Sequence, residues 1–270
     1  MRIAVFQGPK EHGDVARNLE RLEAVARQAA AEGARLLVCP EMFLTGYAIG
    51  AEAVARLAEP VDGPAARRVA AIARGSGIAV LYGYPERGED GRVYNAALLI
   101  DRDGLRLANH RKTHLFADID RRAFAPGGGE PAMAEIDGMR LGILICYDVE
   151  FPENVRLLAL AGADLVLVPT ALMEPYAFIP QAMVPTRAYE NQLFLVYANR
   201  CGREGDLVYY GLSCVVGPDG ADLARAGTGE ELILADLDPS RLAASRRLNT
   251  YLADRRPELY GELAGPRTRA

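Results

Sequence analysis

The hydrophobic positions of the chain fall into a series of short apolar runs that turn-forming residues separate. Runs rich in Val, Ile, Leu and Tyr, either continuous or alternating with polar residues, are typical of β-strands. The predicted strands are Arg2–Phe6, Arg35–Cys39, Ile78–Tyr82, Tyr94–Ile100, Leu105–Ala108, Leu141–Cys146, Asp164–Val168, Phe194–Ala198, Tyr209–Val216 and Glu231–Asp236. So many strands predict a protein with a large amount of sheet.

Helical spacing of apolar residues appears between several of these runs. The first predicted helix follows Asp14, a favourable N-cap, and stops at Gly33. Its apolar face is formed by Val15, Leu19, Leu22, Ala26 and Ala29. Further helices are predicted to begin at or cover residues 62–64, 151–153 and 183–190, and turn sequences at 101–104, 137–138 and 217–220 predict hairpins.

The order of these elements predicts an α/β fold. Strand–helix–strand units occur in both halves of the chain, and hairpins add further strands to them. Two mixed sheets with helices outside both would bury these strands economically, which predicts a four-layer α-β-β-α sandwich. No repeat or linker divides residues 1–270, so we expect a single domain. From about residue 239 the sequence is Arg-rich and weakly periodic, which predicts a tail on the surface or against a partner subunit.

Composition narrows the class of function. The chain has 36 acidic and 31 basic side chains, a net charge of -5 and no sustained basic stripe, which argues against nucleic-acid binding. The first residues lack the hydrophobic region of a signal peptide, and no apolar stretch is long enough to span a bilayer. We therefore expect a cytoplasmic protein that does not contact membranes.

Cysteine and histidine usage limits the chemistry further. The cysteines at 39, 146, 201 and 214 form no C-x-x-C pair and have no His ligands at zinc-like spacing, so we expect neither disulfides nor a metal site. His110 and His114 flank Lys112 and would share one face of a helix, but no acidic third ligand completes a metal motif. Hydrogen-bonding supports in a loop are the more typical role for such histidines.

Cys146 ends the most apolar run of the chain and precedes a helix that Pro152 opens. A strand that breaks sharply before a helix exposes the residue at its tip and leaves backbone N–H groups that can hold an oxyanion. The alternative is a buried core cysteine, the common setting for a single cysteine in an apolar run.

Glu41 follows another strand end, in apolar surroundings that should raise its pKa, as a base acting near neutrality requires. Considered alone, Glu41 is more typical of a turn residue that points to water, and Lys112 of a solvated charge.

Taken together, these three positions and their neighbours resemble the nitrilase, or carbon–nitrogen hydrolase, superfamily over almost the whole chain. The family's glutamate, lysine and cysteine motifs are similar to residues 39–47, 111–116 and 142–153. The resemblance implies that Glu41, Lys112 and Cys146 hydrolyse an amide through a cysteine thioester without metal or cofactor, and that the backbone N–H of Tyr147 helps to bind the oxyanion. Asp120 stands where many members carry a second glutamate, and we expect it to support the site with a shorter side chain.

Within the family, residues 37–44, 82–88, 111–116 and 150–154 most resemble 5-aminopentanamidases, which implies hydrolysis of 5-aminopentanamide to 5-aminopentanoate in lysine degradation. An amide that ends in an ammonium group needs an acidic or aromatic-lined pocket end. The candidate substrate-binding residues are Tyr47, Glu150, Glu174 and Tyr176.

Two alternatives stay open. The first is another reaction of the same family, that of a nitrilase, an N-carbamoyl amine hydrolase or a different short aliphatic amidase. The second is a non-catalytic binding or scaffold protein, against which the presence of Glu41, Lys112 and Cys146 argues. The resemblance also implies a homodimer that pairs through the helix after the cysteine and through the chain's end.

Overall fold

The computed structural model describes residues 1–8, 12–261 and 265. Fourteen strands occur in the described chain, and twelve of them form two six-stranded mixed sheets. The first sheet has the order β14-β1-β2-β3-β4-β5. Its strands are β1 (Arg2–Gln7), β2 (Leu36–Val38), β3 (Ala79–Arg87), β4 (Val93–Ile100), β5 (Arg106–Arg111) and β14 (Glu231–Asp236). The strands β1, β2 and β3 run parallel, whereas β14, β4 and β5 pair antiparallel to their neighbours.

The second sheet has the order β13-β12-β9-β8-β7-β6, with a parallel centre of β7, β8 and β9. Its strands are β6 (Ala132–Ile136), β7 (Met139–Ile143), β8 (Leu165–Pro169), β9 (Phe194–Ala198), β12 (Cys214–Val216) and β13 (Asp222–Arg225). The remaining strands, β10 (Cys201–Glu204) and β11 (Leu207–Tyr210), form a separate hairpin.

Helices cover the outer face of each sheet. The helices are α1 (Val15–Ala31), α2 (Ala51–Leu57), α3 (Pro64–Ser76), α4 (Ala117–Ala123), α5 (Pro152–Leu160), α6 (Val184–Asn191) and α7 (Pro239–Leu248). Asp14 caps α1 as predicted, because its side chain accepts from the Arg17 N–H at 3.0 Å. Short 3₁₀ turns span Cys146–Glu150 and Pro257–Leu259, and a π-helical turn spans Ile179–Met183.

Three apolar layers hold the molecule together. Side chains from both sheets interdigitate in the centre, where Val5 and Leu81 of one sheet share a cluster with Leu167 of the other. The outer clusters join the first sheet to α1 and α3 and the second sheet to α5 and α6. The predicted four-layer α-β-β-α sandwich is thereby confirmed, and burial of these layers supplies the main drive for folding.

Several predicted boundaries were wrong. The apolar run 209–216 is two strands in different sheets, because Gly211 and Leu212 both adopt positive φ and the Leu212 N–H turns to the Gly227 carbonyl at 2.9 Å. The elements α2, α4 and β10 were not predicted. The predicted hairpins at 137–138 and 217–220 are confirmed, and they add β6 and β13, for which no bounds were predicted. The segment after residue 239, predicted as a tail on the surface or against a partner subunit, begins with α7, which buries Leu242. Residues 262–264 and 266–270 of that tail lie outside the described residues.

Within the described part of the chain, no helix combines the length and the apolar character that crossing a membrane requires.

Candidate active site

Glu41, Lys112 and Cys146 converge from three loops. Glu41 follows β2, Lys112 directly follows β5, and Cys146 lies beyond β7. Lys112 Nζ donates to Glu41 Oε1 at 2.8 Å, and the charges of both residues act on the Cys146 thiol. Glu41 and Lys112 are 0% exposed and Cys146 is 8% exposed, so the group lies in a nearly dry environment. Residues that the sequence spreads over more than a third of the chain thus form one cluster.

Glu41 has one oxygen engaged and one free. Its Oε1 accepts from Lys112 and from the Asn95 side-chain amide at 2.6 Å, whereas Oε2 has no hydrogen-bond partner among the described residues. Burial raises the pKa of Glu41, the charge of Asp120 raises it further, and Lys112 opposes both. The predicted rise in the Glu41 pKa is confirmed, and Oε2 is available to take a proton.

Lys112 lies between two carboxylates. Besides Glu41 it donates to Asp120 Oδ2 at 2.7 Å, so the shorter acid at this position does reach the ammonium group. The backbone at the start of α4 brings Asp120 within reach of Lys112. Ala117 has a φ of 46°, and the Phe116 N–H donates to the same Asp120 oxygen at 2.8 Å. Burial alone would lower the pKa of Lys112, but its anionic neighbours outweigh burial and hold it well above the usual value. Lys112 therefore remains a cation and supplies charge rather than acting as a base.

Tyr47 forms the layer behind Lys112. Its hydroxyl donates to Asp120 Oδ1 at 2.9 Å, and Lys112 Nζ lies 5.7 Å from the centre of its ring. Tyr47 is 3% exposed. Because its hydroxyl is already engaged by Asp120, this candidate substrate-binding residue is placed to orient the acid.

Cys146 opens a 3₁₀ turn with a φ of 48°, a conformation that non-glycine residues adopt at a cost and that is frequent at functional sites. The strand before it is shorter than predicted, and it ends at Ile143. The Leu144 N–H still bonds to the Leu167 carbonyl at 3.0 Å, but the Ile145 N–H turns to Asp148 Oδ2 at 3.2 Å. The backbone therefore leaves the sheet before Cys146.

The protonation of Cys146 follows from its burial. Burial raises the pKa of the thiol and the negative charge of Glu41 raises it further, against the opposing effects of Lys112 and of a hydrogen bond from Thr170. At neutral pH the sulfur is a thiol, and a base must remove its proton before it can attack.

Asp148 ties the loop of Lys112 to the turn of Cys146. Its carboxylate accepts from the backbone N–H groups of His114 at 2.8 Å and Ile145 at 3.2 Å, and from the Thr113 hydroxyl at 2.8 Å. The ring nitrogens His110 Nε2 and His114 Nδ1 each lie 3.1 Å from it, which confirms their predicted role as hydrogen-bonding supports, although His110 lies in β5.

The sequence analysis missed both Asp148 and Asn95. A signal for Asp148 was available in the sequence. This acid comes two residues after the candidate nucleophile, and a Thr-His pair follows the candidate lysine. Nothing in the local pattern of β4 marked Asn95, which is recognised only by its contact with Glu41.

Aromatic rings cluster beside the turn that Cys146 opens. The Tyr147 ring lies 5.3 Å from Phe116 and 5.0 Å from Phe151, and Tyr176 lies 5.9 Å from Phe116. Tyr147 also directly follows Cys146, where its N–H can face the oxygen of a carbonyl group whose carbon is bonded to the sulfur. Tyr176 is 43% exposed, so these rings extend from the site towards the surface.

The two candidate acids lie in different environments. Glu150 ends the turn of Cys146 and is partly buried, and its burial raises its pKa to about 7 although the charges of Lys112 and Arg187 oppose the rise. Glu174 is exposed, and its backbone N–H bonds to the Val208 carbonyl at 2.9 Å. Of the two, Glu150 is the one that interacts with the charged cluster.

Among the described residues, no group of three or more His, Cys, Asp and Glu side chains is arranged to hold a metal ion.

Comparison with known proteins places this arrangement in a family. A hydrolase of Pseudomonas protegens is 55% identical over 264 residues, which cover 98% of this chain and 92% of the relative. An (R)-stereoselective amidase of a Pseudomonas species is 40% identical over 97% of this chain and 94% of its own length.

A solved amidase from Nesterenkonia sp. AN1 is 39% identical and superposes with a TM-score of 0.84, covering 97% of this chain and 99% of the amidase. In one structure of a variant of that amidase, acrylamide has added to the active-site cysteine. The family model described as carbon-nitrogen hydrolase matches residues 2–247. The chain belongs to the carbon–nitrogen hydrolase family, the nitrilase superfamily, whose fold it shares.

Proposed function

We propose that this protein hydrolyses small linear amides to a carboxylic acid and ammonia through a thioester on Cys146. The observation that carries the proposal is the buried contact between Glu41 and Lys112 beside the Cys146 thiol, with Glu41 Oε2 unpaired. A thiol, a base with a raised pKa and a permanent cation are the groups that acyl transfer from an amide requires.

In the first half of the reaction, Glu41 Oε2 takes the thiol proton and the sulfur of Cys146 attacks the amide carbonyl carbon. The ammonium of Lys112 and the N–H of Tyr147 stabilise the oxyanion. The C–N bond then breaks, and Glu41 returns the proton to the departing nitrogen, which leaves as ammonia.

In the second half, Glu41 removes a proton from water as the water oxygen attacks the thioester carbon. The C–S bond breaks, the acid leaves, and the proton returns to the sulfur. The sum is amide plus water giving acid plus ammonia. Asp120 accepts a hydrogen bond from the ammonium group of Lys112 and holds it in place.

For the substrate we propose 5-aminopentanamide. Glu150, a partly buried carboxylate, ends the 3₁₀ turn that also carries Tyr147, and the Tyr147 ring packs against Phe116 and Phe151. A terminal ammonium is attracted both to a carboxylate and to the faces of aromatic rings. The (R)-stereoselective amidase relative makes chiral amides the main competing class.

The first experiment measures ammonia release from 5-aminopentanamide, shorter and longer ω-amino amides, plain and chiral amides, nitriles and N-carbamoyl amines. Cys146→Ala and Glu41→Gln should abolish turnover. Cys214→Ala is the matched control, because this cysteine is also buried but lies in the outer core of the second sheet.

The highest kcat/KM for 5-aminopentanamide would support both parts of the proposal. A higher value for another class would contradict only the substrate. Activity in Cys146→Ala would contradict the mechanism, and ligand binding without any turnover would favour the scaffold alternative.

We also propose that two copies of the chain pair through α5 and the segment after α7. The supporting observation is exposed apolar surface there: Leu157 and Leu160 on α5 are 53% and 48% exposed, and Leu248 is 83% exposed. In the same region, Tyr189 of α6 and Tyr251 line a groove with Arg156 of α5. Apolar area of this kind on a globular protein commonly marks an interface.

A further inference from the structure

Arg200 is a completely buried guanidinium behind the proposed base. It lies between β9 and β10 and is 0% exposed. Its Nη1 donates to the backbone carbonyl oxygens of Met42 at 3.1 Å and Glu41 at 3.4 Å. Met42 has a φ of 50°, an uncommon conformation for a side chain of this size, so the turn that carries Glu41 needs external support.

Glu204 is the buried counterion of this guanidinium. It is 4% exposed, and its Oε2 lies 4.0 Å from Arg200 Nε. The same oxygen accepts from the Tyr47 N–H at 3.2 Å and from the Tyr209 hydroxyl at 2.5 Å. Glu204 thus fixes the main chain of Tyr47, and the Tyr47 hydroxyl in turn orients Asp120.

These contacts lead to Lys112 from both sides. Arg200 supports the main chain of Glu41, and Glu204 supports Tyr47 and through it Asp120, while Lys112 bridges the two acids at 2.8 and 2.7 Å. Removing a guanidinium and a carboxylate from water is unfavourable until their contacts in the protein offset the lost hydration. In return, Arg200 fixes the carbonyl groups of Glu41 and Met42, and Glu204 fixes the N–H of Tyr47. All three groups lie close to the proposed catalytic residues.

We propose that Arg200 and Glu204 are positioning residues for the amidase reaction, Arg200 for Glu41 and Glu204 for the Tyr47–Asp120 pair. The inference rests on the proposed role of Glu41 as base. Neither Arg200 nor Glu204 contacts the atoms that react in the proposed mechanism. Displacing a catalytic group by about 1 Å costs on the order of 100-fold in rate, so loss of either residue should lower kcat.

The test compares Arg200→Met, Arg200→Lys and Glu204→Gln by kcat and KM for the best amide substrate, with circular dichroism and melting curves to establish folding. We expect Arg200→Met to lose about 100-fold in kcat with KM changed by less than about threefold. Arg200→Lys should recover part of kcat, because an ammonium group keeps the charge and can reach one carbonyl. Glu204→Gln should also lose kcat, because it leaves the Arg200 charge uncompensated.

Arg140→Met is the matched control. Its guanidinium also bonds a backbone carbonyl, that of Gly162 at 2.7 Å, but at the opposite end of β7 from Cys146. Its kcat should equal that of the parent protein.

If Arg200→Met does not fold, Arg200→Lys and Glu204→Gln decide the question. Folded variants with kcat within about twofold of the parent, or with the loss confined to KM, would overturn the proposal. A parallel Glu41→Gln measurement separates the two proposals. If that variant is inactive while the Arg200 and Glu204 variants are normal, only the positioning role fails; if it is active, the proposed base fails as well.

Discussion

Lys112 and Glu150 are neighbouring ionisable groups whose surroundings give them opposite behaviour near neutral pH. Lys112 is enclosed by the carboxylates of Glu41 and Asp120 and keeps its proton. Among the described residues Glu150 has no such close charged partner, and burial raises its pKa to about 7. The proposed ammonium-binding acid therefore changes its charge within the range in which an enzyme is normally assayed.

A pH dependence of substrate binding follows. Above a pH of about 7 Glu150 is a carboxylate and attracts the substrate's ammonium, and below it the acid is neutral. We expect KM for 5-aminopentanamide to fall severalfold between about pH 6 and pH 8, and Glu150→Gln to remove this change. Pentanamide, a neutral amide of the same length, is the control. An equal fall in KM for pentanamide would show that another group titrates.

Sequence motifs marked the three residues of the candidate site, Glu41, Lys112 and Cys146, but not the residues that support them. Asn95 is recognised only through its contact with Glu41, 54 positions away in the chain. Asp148 had a signal in its position two residues after Cys146, but its contact with Thr113, 35 positions away, is known only from the fold.

At the scale of elements, Asp148 joins the loop after β5 to the turn after β7, and thus the edge of one sheet to the other. Burial alone would raise its pKa, but the hydrogen bonds from His110, His114 and Thr113 hold it below its usual range. In the unfolded chain an Asp titrates near pH 4. Below that pH the unfolded state binds a proton that the native state does not, so this stabilisation is full above about pH 4 and declines as the pH falls.

Asp148→Asn should therefore lower the free energy of unfolding at pH 7, by about 1–3 kcal/mol. The difference from the parent protein should shrink between about pH 4 and pH 2. Urea unfolding at several pH values measures both. Asp137→Asn is the control, since Asp137 is also held at a lowered pKa, by Arg35, but is 38% exposed. A difference that stays constant with pH would contradict a native-state role for the Asp148 charge.

Strands and helices were predicted accurately from the sequence where most of their residues are buried. Strands with a continuous apolar run, such as β8 and β9, were predicted almost to the residue because both faces are covered. Short peripheral elements such as β13 and α2 contain few buried residues, so periodicity did not reveal them. The error at 209–216 arose because hydrophobicity continues through a point where two positive φ values turn the chain into another sheet.

At the scale of the whole molecule, the proposed dimer predicts the effect of a surface charge. Leu157→Glu on α5 should convert a dimer into monomers, because it places a carboxylate in the apolar contact. Light scattering measures the mass. Leu105→Glu is the control, as this leucine is 63% exposed on the hairpin between β4 and β5. A parent protein of monomeric mass would contradict the proposed pairing.

The pairing of β1 with β14 has a consequence for biosynthesis. Arg2 stands opposite Asp236, and the Met1 amino group donates to the Leu237 carbonyl, 236 positions later, at 2.9 Å. While the ribosome is still adding residues, one side of β1 has no neighbour, and unpaired strand edges recruit other chains. The first sheet can close only after residue 236 has been synthesised, so until then the open edge of β1 is exposed to pairing with other chains.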